Sequence, residues 1–386
     1  MSSSLQKIAV AAVDDPSAIS TWSGCPAHLI LALERTGINV VRAGPLAAKE
    51  PVYYRWLRSL YWRLGYGWFL SEVEQKILIQ RSFAFQHILR KNLVDAAISV
   101  QSDPIAAMRP SIPTVLMHDC TFALLVDYYK AFSGLSRRSL KMGHQAYHRA
   151  LSHASLAVFS SEWAANSAIQ DYGADPKKVH VIEFGANLEN PPTRSEVSRL
   201  VESRMSVNDF RCLFLGVEWG RKGGDDAVAL VKSLRKMGVS AHLDVVGCRI
   251  QGGSDAKEFC TEHGFLNKSD NRDALKLRSL FETASFLFVP SHAECFGCVY
   301  CEANAFGVPA IGRETGGIGQ IIKHGINGFL LAKDGKNLMQ LAETVKLYLL
   351  DKGKYQKLAA SSRDEFERRL NWDRFVERLI ELLESN

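Results

Sequence analysis

A chain of 386 residues, 47% hydrophobic and 23% charged, exceeds what one hydrophobic core commonly serves and reads as two globular domains of similar size. Its net charge of +6 is too modest to call for nucleic acid as a partner, and no apolar run approaches the length that spans a bilayer. The eight cysteines, Cys25, Cys120, Cys212, Cys248, Cys260, Cys295, Cys298 and Cys301, lie mostly within apolar patterns, as reduced thiols of the cytoplasm do.

Met1-Ser-Ser-Ser-Leu-Gln-Lys has no apolar h-region, so it is not expected to act as a leader. Lys7-Ile-Ala-Val-Ala-Ala-Val13 reads as a buried strand, and Cys25–Arg35 as the helix after it, closed by Gly37. Ser20-Thr-Trp-Ser-Gly24 lies between them, where Ser23 and Gly24 either let backbone approach a ligand at the helix N-terminus or form an ordinary strand-to-helix turn. A second strand is expected at Val40-Val-Arg-Ala. Residues 53–70 are dense in aromatics and arginines. The plainer reading makes this a helix whose aromatics are core and whose arginines are solvated; the other lays it against an anionic membrane surface or a lipid-linked acceptor. Further strands are expected at 96–100, 114–117, 157–161 and 179–182. His118 follows the second of these, at the carboxyl end of a sheet where open α/β folds bind ligands, although a lone histidine is more often structural. Asn187–Asn208 turns polar, with Pro191-Pro192, as an interdomain linker would.

The second half opens with the strand Cys212–Gly216 and a turn, Trp219-Gly-Arg221-Lys222-Gly-Gly224, that is neither a Walker loop nor a G-x-G-x-x-G fingerprint. It places a guanidinium and an ammonium beside flexible backbone, suited to a diphosphate, or else a solvated surface pair. His242–Gly247 is another strand, followed by Cys248 and Arg249; Asn271–Thr283 is helical. Then comes Glu294-Cys-Phe-Gly-Cys-Val-Tyr-Cys-Glu302, two carboxylates between the short strand Phe286–Pro290 and a helix ending before Gly307. The helix N-terminus favours an anion. Ionised carboxylates accept hydrogen bonds only, so Glu294 suits sugar hydroxyls and Glu302 a ribose; alternatively one is a capping acid and the other a solvated helix residue. Cys295-x2-Cys298-x2-Cys301 lacks a fourth ligand, so no metal is expected. Pro309–Gly312 supplies a strand, and Gly316-Gly317 a loop of N–H groups that could complete a phosphate cradle. The tail from Asn371 is an amphipathic helix. Alternating strands and helices in both halves argue for two doubly wound α/β domains facing each other.

From Pro290 to Gly328, the pattern Pro-Ser, Glu294, Phe296-Gly297, Glu302-Ala-x-Ala-x-Gly307-x-Pro309, Gly316-Gly317-Ile318 and His324-Gly-x-Asn-Gly328 resembles the nucleotide-sugar core of retaining GT-B glycosyltransferases, specifically glycosyltransferase family 4. The resemblance implies two Rossmann-like domains across a cleft. These would be an acceptor-side domain at 1–190, to which helix 371–386 crosses back, and a donor domain at 209–370. It also implies that Arg221 and Lys222 stabilise the leaving diphosphate, that Glu294 holds the sugar, and that His118 contacts it near the reacting carbon. It further implies that the donor is held by Ser23, Gly24, Cys248, Arg249, Phe296, Gly297, Cys298, Val299, Glu302, Gly316 and Gly317.

The expected function is therefore hexosyl transfer from a nucleotide-diphosphate sugar, most naturally a UDP-sugar, to the hydroxyl of a sugar or lipid-linked glycan acceptor. No D-x-D pair occurs in the chain, so neither a metal nor another cofactor is expected. The expected location is cytoplasmic, with peripheral contact at the inner face of the membrane through 53–70 left open. A nucleotide-sugar epimerase of the same architecture, a nicotinamide-dependent dehydrogenase and a non-catalytic nucleotide-sugar-binding protein are the rivals; the dehydrogenase lacks its fingerprint.

Overall fold

The computed structural model of the protein describes residues 5–251 and 254–385; of the amino-terminal stretch considered as a leader, residues 1–4 lie outside that description. The chain divides into two compact units, Met1–Glu183 with Phe375–Asn386, and Phe184–Arg374.

Six parallel strands form the first unit's sheet: β1 (Lys7–Ala11), β2 (Asn39–Ala43), β3 (Ala96–Ser99), β4 (Thr114–His118), β5 (Leu156–Phe159) and β6 (Val179–Val181), in the order β2-β1-β3-β4-β5-β6. Ile8, Ala9, Val10 and Ala11 are fully buried, because helices cover both faces of a parallel sheet and leave no polar alternation. Helix Cys25–Arg35 seats Leu29, Ile30 and Leu33 in this core, each contributing about 1.5–3 kcal/mol by leaving water. Strand order reverses between β1 and β3, which puts the loops after β1 and β3 at a topological switch point, with the end of β4 adjoining.

The second unit repeats the plan with β7 (Phe210–Leu215), β8 (Ala241–Val246), β9 (Cys260–Gly264), β10 (Phe286–Phe288), β11 (Ala310–Arg313) and β12 (Gly328–Leu331), in the order β12-β11-β10-β7-β8-β9. Its switch point lies between β7 and β10. Phe286, Phe288, Phe214 and Tyr355 fill the core there. Two parallel six-stranded sheets flanked by helices make this an α/β protein of the doubly wound kind expected.

Three expectations change. The polar segment taken as a linker contains helix Arg194–Ser206, opened by a capping box in which Thr193 and Glu196 satisfy each other's backbone amides. Two strands, β9 and β12, appear where none was read. In helix Val52–Arg63 only Tyr54 is buried. It packs with Phe69 and Ile77, while Trp56 is 75% and Trp62 71% exposed. Most of the aromatics of 53–70 are therefore not core.

Candidate functional site

In the second unit, the loops after β7 and β10 are locked together. Gly223 sits at φ +75°, and a Cβ there would come within 2.2 Å of the Pro290 carbonyl oxygen, so only glycine lets the two backbones touch. The His292 amide donates to the Arg221 carbonyl at 2.8 Å. Arg221 lies across the junction, its Nε donating to Glu218 at 2.9 Å and its Nη1 to the Ala293 carbonyl at 3.1 Å. Lys222 forms a close ion pair with Glu294, both side chains largely out of water. The sequence-predicted Arg221, Lys222 and Glu294 thus converge at the switch point, where an open α/β sheet binds its ligand.

A third loop joins them. The Gly317 amide donates to the Cys295 carbonyl at 2.9 Å, which ties Gly316-Gly317 to the Glu294 loop. Gly297, at φ +94°, is the N-cap of helix Cys298–Ala305 and has no side chain with which to cap it. Cys298 and Val299, half-buried, form its first turn, at the end of the dipole that attracts anions. The ring of Phe296 is buried against Phe184 at 5.4 Å between centroids, so Phe296 braces the loop.

Glu302 is 2% exposed. Its Oε1 accepts from Lys268 Nζ at 2.5 Å, while its Oε2 is buried without a hydrogen-bond partner among the described residues. A buried carboxylate oxygen left in that state costs free energy unless a ligand donates to it. Lys268 was not singled out from the sequence, because nothing in its polar surroundings marks it; only the fold brings it to a residue 34 positions on. At the end of β8, Cys248 is half-buried and Arg249 exposed. Burial, helped by the Glu262 carboxylate, pushes the Cys248 thiol above its ordinary value, which keeps it protonated at neutral pH.

A second cluster stands in the first unit. Trp22, Ser23 and Gly24 are consecutive residues at positive φ (45°, 57° and 87°). Left-handed backbone costs about 1–3 kcal/mol at a non-glycine residue and gathers at ligand-binding places. Trp22, which sequence reading passed over, stacks on His118, with ring centroids 5.5 Å apart. His118 Nδ1 lies in a short contact with the Cys120 carbonyl and 3.4 Å from the Cys120 amide, so the turn after β4 closes on the ring. His118, Asp119 and Cys120 are the one set of potential metal ligands that converges among the described residues. Cys295, Cys298 and Cys301 form no such set.

Residues 202–365 match the family model described as glycosyl transferases group 1. The matched stretch contains Arg221, Lys222, Glu294 and Glu302. Among curated proteins, the D-inositol 3-phosphate glycosyltransferase of Xylanimonas cellulosilytica is 27% identical over 58% of this chain and 55% of its own length, so the chain spans little more than half of that relative. Among solved structures, sucrose-phosphate synthase from Thermosynechococcus elongatus has a TM-score of 0.67 at 16% identity, covering 98% of both chains. Anabaena HepE, solved in complex with UDP and glucose, has a TM-score of 0.60 at 17% identity, covering 99% of this chain and 100% of its own. The fold is GT-B.

Proposed function

We propose that the protein is a retaining glycosyltransferase of family 4 that moves a hexose from a UDP-sugar to a hydroxyl of a sugar or lipid-linked glycan, in the cytoplasm and without a metal ion. The observation that carries the reading is the meeting of Arg221, Lys222 and Glu294 on two interlocked loops at the switch point of the glycosyltransferase domain. Cation and acid side by side suit a ligand that is itself half anion and half polyol.

In the proposed reaction the bond between the anomeric carbon and the β-phosphate oxygen breaks, and the acceptor oxygen bonds to that carbon on the same face. The acceptor's proton passes to the departing phosphate oxygen, which balances the step without a protein base. Arg221 and Lys222 neutralise the charge that grows on the diphosphate; preorganised charge of this kind is commonly the largest single contribution to rate. Glu294 takes hydroxyls of the sugar, exchanging part of its bond to Lys222 for them. Glu302, with one oxygen held by Lys268 and the other unpartnered, takes the ribose. His118 and the Trp22-Ser23-Gly24 turn of the first unit serve the transferred sugar and diphosphate. All eight cysteines are free thiols, which suits a reducing compartment. Among the described residues no helix is long and apolar enough to cross a membrane.

The test is UDP release from a panel of UDP-sugars in the presence of a chelator. Release that requires an added acceptor supports transfer. Conversion of donor alone to an epimer, or donor binding with no turnover on any acceptor, would instead establish one of the rivals. Release abolished by the chelator and restored by a divalent ion would remove metal independence.

A further inference from the structure

Helix Val52–Arg63 turns one side inward and leaves the other bare. At 100° per residue, Tyr54, Tyr61, Leu57 and Arg58 share the inner side, where Tyr54 packs on Phe69 and Arg58 donates to Glu50 at 2.6 Å and Ser71 at 2.9 Å. The outer side carries Val52, Trp56 and Leu60 flanked by Tyr53 and Trp62, and the chain beyond it adds Leu64, Tyr66 and Trp68, all exposed. Eight of the large apolar side chains that the protein leaves in water therefore lie within seventeen consecutive positions. Isolated exposed apolar residues need no explanation; a contiguous set of this kind marks an interaction surface.

The charges on this surface say what it meets. Between Glu50 and Glu72 there are three arginines and no acidic residue. Arg58 is turned inward, so Arg55 and Arg63 are the exposed pair, and Lys76 borders the patch with its Nζ 5.1 Å from the centre of the Tyr53 ring. A second copy of the chain meeting the same face would set arginine against arginine. An anionic bilayer offers the complement: phosphates for the guanidinium groups and the headgroup boundary for indole and phenol rings, which are apolar in body and polar at one edge.

We infer that helix 52–63 and the following residues to 68 form an interfacial anchor that rests the first unit on an anionic lipid surface, peripherally and reversibly. This rests on the first unit alone, so the donor-site reading can fail without affecting it, and the reverse.

The experiment is co-sedimentation of the full chain with phosphatidylcholine vesicles, with and without phosphatidylglycerol. The wild type is expected to pellet with the anionic vesicles, less so as salt is raised. Arg55→Gln with Arg63→Gln should lower anionic partitioning about thirtyfold, from about 1 kcal/mol for each arginine near such a surface. Trp56→Ser with Trp62→Ser should abolish binding while the melting temperature holds, since both rings are exposed. Failure of the wild type to bind anionic vesicles, or retention of binding by the tryptophan variant, overturns the inference. So does a dimer, seen by sedimentation velocity, that the tryptophan substitutions disperse without any vesicle binding having been present.

Discussion

Arg221 and Lys222 are adjacent in sequence but differ in what holds them. The arginine is spread across two loops by bonds to a carboxylate and a carbonyl, whereas the lysine is held by the one carboxylate of Glu294. A planar guanidinium can keep such anchors and still present a flat edge to phosphate, so Arg221 is the fixed cation of the pair. Arg221→Ala should cut transfer about a hundred- to a thousandfold, as loss of a preorganised donor does, with little change in melting temperature; near-normal turnover would take Arg221 out of the mechanism. Glu302 invites a different outcome. With one oxygen on Lys268 and the other buried without a partner among the described residues, the proposed ribose contact would hold the ground state and the transition state alike. Glu302→Gln should therefore raise the donor KM about tenfold or more while kcat falls less, and an unchanged KM would mean that the carboxylate is structural.

At the scale of elements, the contact between the loops after β7 and β10 depends on a missing side chain. Gly223→Ala adds a Cβ 2.2 Å from the Pro290 oxygen at a left-handed φ. It should lower stability by about 1–3 kcal/mol and weaken donor binding with it, read by denaturant unfolding; a variant of native stability would show that the two loops separate easily. The same elements show what can be read from residues alone. Helix Asn271–Thr283 was legible to its last residue, and ten of the twelve strands announced themselves as short apolar runs. β9, Cys-Thr-Glu-His-Gly, was not, because an edge strand with three exposed positions has no apolar pattern to show. Helix Arg194–Ser206 was hidden by its charge, although Thr193-x-x-Glu196 is the signature of a capping box and could have revealed it. Arg221, Lys222, Glu294 and Glu302 were legible because each sits within a motif. Trp22 and Lys268 were not, since their partners, His118 and Glu302, lie far along the chain and only the strand order brings them near. The aromatics of 53–70 were misplaced for a related reason: composition gives the helix, but which of its sides is covered depends on its neighbours.

Over the whole molecule, two histidines and two carboxylates share one direction with pH, opposed in the first unit by Asp103, whose carboxyl is raised by burial. Burial lowers His144 in the first unit below its ordinary value of 6.5, and burial with the nearby Arg211 lowers His242 in the second. Burial raises Asp244, but bonds from Arg211 and His263 outweigh it and hold the carboxyl below its ordinary 3.8; Arg368 and Arg369 likewise outweigh burial at Glu365, ordinarily 4.5. A depressed folded value means that the unfolded chain takes up the proton first. The stability from each group is therefore full above its ordinary value and is lost as pH falls through its folded one. Melting temperature should decline from pH 7 toward 5 through the two histidines and again below about 4.5 through the two carboxylates. His144→Gln should flatten only the upper part of that decline. A melting temperature that rose on acidification from pH 7 would contradict these assignments.

The central claim is that the second unit grips a nucleoside diphosphate with Arg221 and Lys222, without help from a metal. Calorimetric titration of UDP into the full chain in a chelator, repeated with Lys222→Ala, tests it most directly. Measurable binding by the wild type, weakened about tenfold or more in the variant as a charge-assisted bond is lost, is the predicted result. No heat of binding from the wild type, or equal affinity in the two proteins, would contradict it.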